Sequence, residues 1–274
     1  SAGNELLSGP FIISNQYKTA EFIPDNACGI NACGETIYCL PADSHLQVVL
    51  NAAQLETCDV DGDCAVKSPY NKCVNNICQD SAGKNYPVSA KPLTGLADLA
   101  INSLDGNRNG QAEGPLSFYN ENPPADQAKG DNYVWSFYVN NKINLAAPII
   151  AAQTVAHNAT GVNLANPILA AFNKLMMSSS LTTGSRIVEL ANGDKYTHQN
   201  INLYNYEKQP IGYWISKENL DTSDPKDGRS DATQTIINHS LFSDTAKYRA
   251  QIGSGVKDIY QNCYKPSQGP DCVD

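Results

Sequence analysis

The chain contains no Cys-x-x-Cys pair and only four histidines among 274 residues. Those shortages keep its nine cysteines out of the usual zinc sets of paired thiolates and imidazoles. No apolar run approaches the roughly 18–20 residues that a membrane-spanning helix needs, so no membrane insertion is expected. The 19 Lys and Arg residues form no cluster and are outnumbered by 28 acidic ones, for a net charge of −9 and a pI near 4.9. No basic face is available for nucleic acid or for an anionic membrane surface. Gly-x-Ser-x-Gly, His-Glu-x-x-His and phosphate-cradling loops are all missing, and His45, His157, His198 and His239 are scattered. Catalysis is therefore not expected. Long Glu/Lys/Leu/Arg stretches are absent, which excludes extended surface helices. An initiator Met is also lacking, so Ser1 reads as a processed or engineered end, with an export signal already removed.

Cysteine is abundant, and it is clustered. Cys58, Cys64, Cys73 and Cys78 fall in one short polar stretch, Cys28, Cys33 and Cys39 in a Gly-punctuated run, and Cys263 and Cys272 near the end. Clusters in polar, loop-like sequence without metal-ligand spacing indicate disulfides, and hence an extracellular or cell-surface protein. Four cysteines allow three pairings; Cys58–Cys73 with Cys64–Cys78 is the expected one. Cys263 and Cys272 are expected to pair across a loop containing Pro266, Gly269 and Pro270. One of Cys28, Cys33 and Cys39 would then be free or bonded to a separate chain.

The remaining pattern is that of a loop-rich β protein, with Tyr outnumbering Phe 14 to 6. Short strand-like runs occur at Phe11 to Ile13, Tyr17 to Ile23, Glu35 to Leu40, Leu46 to Leu50 and Tyr133 to Val139. Trp135 and Phe137 share one face of the last, as expected for a sheet packed on one side. A linker-like stretch at 140–148 precedes further candidates at Ile149 to Val155, Pro167 to Phe172, Arg186 to Leu190, Tyr213 to Ile215, Thr233 to Asn238 and Lys247 to Ile252. Val256 to Tyr260 reads as a last turn or strand. The one helical candidate is a single turn at Asn173 to Ser178. Two all-β domains are expected, 1–143 with a disulfide-tied insert at 58–78, and 144–274.

Phe22-Ile-Pro24, Ile37-Tyr38, Asp98-Leu-Ala-Ile-Asn102-Ser-Leu104 and Trp135-Ser-Phe137 follow one another in an order that resembles bacterial Ig-like domains of the S-layer (SbsA) type. Phe172-Asn173-Lys174, Met176-Met177-Ser178 and Leu181 resemble the Phe-Asn-x-x-Met…Ser-Leu segment of the same family. Tyr248-Arg-Ala-Gln-Ile252 and Val256-Lys-Asp258 resemble its later strands. Ile101 stands where the family has Gly. The resemblance implies tandem Ig-like β-sandwiches and a non-catalytic role in a filament, pilus-like fibre, stalk or S-layer. The first unit lacks the early half of the family pattern and the second its closing strand. The chain therefore reads as a fragment of a longer protein, as a subunit completed by strands from neighbouring copies, or as a pair of trimmed domains. An adhesin or carbohydrate-binding module with a glycan ligand, and a non-catalytic appendage of a secreted enzyme, are the rival readings.

Asp105-Gly-Asn107-Arg-Asn109-Gly110 resembles the first half of a calcium-binding loop, with oxygen-bearing side chains at alternate positions around a Gly turn. Leu116 occupies the place of the usual bidentate Glu, and Glu113, Asp98 or Asp131 are the nearby substitutes. The competing reading is an Asn/Gly-rich turn capped by its own side chains. Asp59, Asp61 and Asp63 form a shorter candidate, and Asp224, Asp227 and Asp231 a weaker one. The sequons Asn158-Ala-Thr160 and Asn238-His-Ser240 matter only in a host that glycosylates asparagine.

Overall fold

The computed structural model describes residues 5–65, 69–85, 93–108, 110–115, 130–183, 185–189, 195–207, 209, 211–223 and 228–266. In chain order the strands are β1 (Phe11–Ser14), β2 (Thr19–Phe22), β3 (Ala27–Ile30), β4 (Thr36–Tyr38), β5 (Ser44–Leu50), β6 (Lys72–Val74), β7 (Ile77–Gln79) and β8 (Tyr133–Val139). There follow β9 (Ile150–Gln153), β10 (Ile168–Phe172), β11 (Ser185–Glu189), β12 (Lys195–Gln199), β13 (Ile201–Asn205), β14 (Tyr213–Leu220), β15 (Ala232–His239) and β16 (Tyr248–Ile252). The chain is all-β, built from several small antiparallel sheets. Among the described residues, the named helical elements are one turn at Asp61–Cys64 and a 3₁₀ turn at Ser178–Ser180. The expected helical turn at Asn173 to Ser178 is not formed: the 3₁₀ turn shares only Ser178 with it, and Met176 instead makes a β-bridge to Asp258; the turn at Asp61–Cys64 falls inside the cysteine insert, where none was expected.

Two compact units divide the chain differently from a cut at 143/144. Residues 1–42 belong with 141–274, and residues 43–140 form the other unit. The physical reason is a set of bonds between distant parts of the chain. Cys33 is bonded to Cys263, 230 residues away. Gln261 meets the Tyr38 backbone on both sides, accepting from its N–H at 3.0 Å and donating to its carbonyl at 2.7 Å.

In this discontinuous unit β14, β15, β10 and β9 form a four-stranded sheet, and β13 pairs with β16. Phe172 of β10, Ile237 of β15, and Ile201 and Leu203 of β13 bury their side chains in one cluster with Met176, Leu181, Phe242, Val256 and Tyr264. Alternation explains the contribution of β13, whose Ile201 and Leu203 point the same way. Glu21 of β2 accepts from the backbone amides of Ser178 (2.5 Å) and Ser179 (3.0 Å), satisfying the start of the 3₁₀ turn.

The other unit holds the β5–β8 ribbon and the β6–β7 hairpin. Register puts Leu46, Val48 and Leu50 opposite Phe137, Trp135 and Tyr133, six large apolar side chains on one face. That face is not closed: Trp135 is 40% and Tyr133 42% exposed. Trp135 and Phe137 share a face as expected, but that face is only partly covered, with Phe137 half-buried and Trp135 exposed. Among the described residues no further strand bonds to either edge of the ribbon.

The eight described cysteines form four disulfides: Cys28–Cys39, Cys33–Cys263, Cys58–Cys73 and Cys64–Cys78. The insert thus has the pairing expected for it. The expected Cys263–Cys272 bridge is replaced by Cys33–Cys263, which also removes the odd thiol from the Cys28, Cys33 and Cys39 group. Cys272 lies outside the described residues.

Candidate metal centre

Among the described residues, four five-residue turns share one geometry, and they decide which acidic groups remain for other work. In Asp98–Asn102, Asp98 Oδ1 accepts from the amides of Ala100 and Asn102, both at 2.8 Å, and Oδ2 from Asn102 Nδ2 at 2.8 Å. Asp258–Asn262 repeats this with Tyr260 N (2.9 Å), Asn262 N (2.8 Å) and Asn262 Nδ2 (3.1 Å). Asn31–Glu35 and Asp80–Lys84 use the same two backbone contacts to the first side chain. The fourth residue has a positive φ in each: 79° at Gly34, 80° at Gly83, 67° at Ile101 and 64° at Gln261. Turns of this kind favour Gly at that place because a Cβ there crowds the backbone. Asp98, expected as a substitute metal ligand, is engaged by its own turn. Its carboxyl is held below the ordinary range by the Asn102 side-chain amide first, then by the two backbone donors.

The Asp59, Asp61 and Asp63 group is similarly occupied. Asp63 accepts from the amides of Asp59 (2.8 Å) and Val60 (3.1 Å), and Asp61 from Cys73 N (2.8 Å) and Lys72 Nζ (3.0 Å). These donors lower both carboxyls, the backbone amides being the largest cause in each. Asp231 is a turn cap as well, held at about 2 by the Ser223 hydroxyl and by Thr222; Asp224 and Asp227 lie outside the described residues. Cys58, Cys64 and Cys78 sulfurs lie within 4.8 Å of one another because two disulfides pack together. Sulfur in a disulfide offers no thiolate to a metal.

What remains is the loop around Asp105. Asp105 Oδ2 accepts from Gly110 N at 2.9 Å, so the expected tight turn forms. Asn107 Nδ2 donates to Glu113 Oε2 (2.8 Å) and to the Gly130 carbonyl (3.3 Å), while Gly130 N donates back to Glu113 Oε2 (3.1 Å). Gly106 lies so close to Asp131 that a Cβ there would stand 2.2 Å from the Asp131 carbonyl oxygen. Asp131 is fully buried. Its Oδ2 accepts from the amides of Glu113 (2.5 Å) and Gly114 (3.3 Å), but its Oδ1 has no hydrogen-bond partner. Burial pushes the Asp131 carboxyl up, and the charges of Asp105 and Glu113 push it further, against the two amide bonds. Hydrogen bonds link Asn107, Glu113 and Asp131 beside the Asp105 turn; one oxygen each from Asp105, Glu113 and Asp131 do not lie within 4.8 Å of one another, but all four side chains carry oxygen donors of the kind a hard cation takes. Asn109 lies outside the described residues. The burial of Asp131 was not legible beforehand; the nearest signal is its place two residues ahead of the strongest strand.

His239 offers no free ring nitrogen for catalysis. Nδ1 lies 2.8 Å from the Ser240 carbonyl, Nε2 lies 2.9 Å from the Asn166 carbonyl, and the ring stacks on Phe242 at 3.7 Å. Of the sequons, Asn158 is exposed in a turn, whereas Asn238 sits within β15 with its amide bonded to Ser216 Oγ at 3.1 Å. Comparison with protein-family models, with curated proteins and with solved structures returns no match for the chain.

Proposed function

We propose that this chain is a non-catalytic structural unit of an extracellular assembly, a fibre, stalk or surface layer, built from Ig-like sandwiches of the S-layer type. The carrying observation is the β5–β8 ribbon, with one apolar face incompletely covered and no further described strand on its edges. Such a ribbon is marginal alone and is completed by adding strands, here from a neighbouring copy or domain. The disulfides support an oxidising compartment outside the cell, and the net charge of −9 favours solubility there.

Electron microscopy of the purified chain, with size-exclusion chromatography on the same sample, tests this. Ordered fibres or sheets that are lost in a Val48→Lys, Trp135→Glu double variant support strand or face sharing. A wild-type chain that stays a 29.5 kDa monomer at every concentration sinks self-assembly.

A second reading has its own observation. Tyr133 and Trp135 are exposed neighbours on one face, ring centroids 5.7 Å apart, a surface on which a sugar ring can stack. Quenching of Trp fluorescence by a soluble oligosaccharide, abolished by Trp135→Ala in a monomeric sample, would favour a glycan-binding module.

A further inference from the structure

A buried carboxylate oxygen without a partner carries a cost that a folded protein ordinarily avoids. Asp131 Oδ1 is such an atom, and its surroundings worsen its position. The loop that crosses it presents Asp105 and Glu113, two more negative groups, and the described hydrogen bonds among these residues leave that oxygen unserved. Three carboxylates around an unpartnered buried oxygen make chemical sense once a cation is present.

We propose that Asp105, Asn107, Glu113 and Asp131 bind one Ca²⁺, with Asp131 Oδ1 as the buried anchor and Asp105 and Glu113 as the remaining charged ligands. Three carboxylates give a net site charge of −1 once the dication is bound, and Asn107 adds a side-chain carbonyl. Ca²⁺ fits better than Mg²⁺, because the ligands come from a loop of irregular spacing and not from an octahedral cage. Among the described residues, Asp105, Glu113 and Asp131 do not draw one oxygen each within 4.8 Å of the others. Binding therefore pulls these side chains inward, and the Glu113–Asn107 contact at 2.8 Å is the one that must yield. Gly106 has no side chain to block that movement, since its backbone already touches Asp131. The site is independent of whether the chain assembles.

The test uses the full chain with CaCl₂ alone, by isothermal titration calorimetry and by thermal unfolding against EGTA and against MgCl₂. Expected is one site per chain with a Kd on the order of 10⁻⁴–10⁻³ M, as in extracellular modules. A hundredfold excess over Kd should raise Tm by about 5 °C or more, with a far smaller response to Mg²⁺. Asp131→Asn should abolish binding yet melt no lower than wild type in EGTA, because the amide removes an unpaired buried charge. If Asp131→Asn does not fold, Asp105→Asn, at a partly exposed position, serves instead and should weaken binding at least tenfold. No heat and no shift at about 10 mM Ca²⁺, well above the Kd range of such modules, would overturn the proposal. So would a calcium response that persists in both Asp105→Asn and Asp131→Asn.

Discussion

The Asp98–Asn102 and Asp258–Asn262 turns are the same object in two settings. Each has an Asp that binds two backbone amides and the amide side chain four residues on, and each has a positive φ at the fourth residue. Asp98 and Asn102 are exposed, and the described side-chain bonds of the pair stay within their own turn. Asp258 is fully buried, and Lys174 Nζ lies 3.0 Å from its Oδ2. Lys174 also donates to Asn144 Oδ1 (3.2 Å) and to the Ala146 carbonyl (2.5 Å), and Asn262 donates to the Asn144 carbonyl (2.7 Å). Next to this turn, Gln261 clasps Tyr38 and Cys263 is bonded to Cys33. Local hydrogen bonding alone thus makes a turn, and burial with a counter-ion converts the same turn into a clamp between distant parts of the chain. Lys257 and Glu35, 2.6 Å apart and largely buried, add a second ion pair to that clamp.

Breaking the clamp should have the largest effect. Replacing Cys33 and Cys263 together by Ser opens a loop closed over a sequence separation of 230 and should cost about 5.5 kcal/mol on the chain-entropy model, read by urea unfolding. No comparable change is available near Asp98. Second, Asp258→Ala should cost about 3–5 kcal/mol, because it leaves Lys174 buried without its counter-ion, whereas Asp98→Ala should cost about 1 kcal/mol or less, as for an exposed cap. Equal losses in the two variants would show that burial adds nothing to the turn.

Third, Gly at the positive-φ position should separate the two turns by sign. Ile101→Gly should stabilise by about 1 kcal/mol, since a β-branched residue is strained there. Gln261→Gly relieves similar strain but forfeits both bonds to Tyr38, so its Tm should not rise. Smallest is the pH effect. The Asp98 carboxyl is lowered in the fold, so the ionised form is favoured by folding. That stability is present above the ordinary value near 4 and fades as pH falls through the lower folded value. The gap between wild type and Asp98→Asn in urea midpoints should be constant above about pH 5 and shrink in more acidic buffer.

Much of the strand content was legible because alternation and turn residues mark it. The runs at Phe11, Leu46, Tyr133, Pro167, Tyr213, Thr233 and Tyr248 all lie in or on strands. β13 was missed although Ile201 and Leu203 alternate cleanly, because Asn on both sides reads as loop. The turn at Asp258 escaped for a different reason. Without Gly at position 261 its likeness to Asp98–Asn102 lies only in an Asp and an Asn four residues apart, and the bonds that define it are invisible in composition. The cysteine pairing between Cys33 and Cys263 is non-local, and spacing carries no trace of it. In the metal loop the sequence supplied the ligand types, but only burial distinguishes Asp131, with an orphan oxygen, from Asp98, whose oxygens are all engaged.

The Cys33–Cys263 bond has a mechanical corollary. Force applied to the chain on either side of the bonded pair passes through two sulfur atoms and bypasses the chain between them, a sequence separation of 230, the whole 43–140 unit included. About 800 Å of contour length is locked away from extension until that bond is reduced. A single proteolytic nick within the ring, likewise, would leave one covalent molecule. Under tension the molecule behaves as a short tether carrying a sheltered loop, and reduction is the event that releases its length.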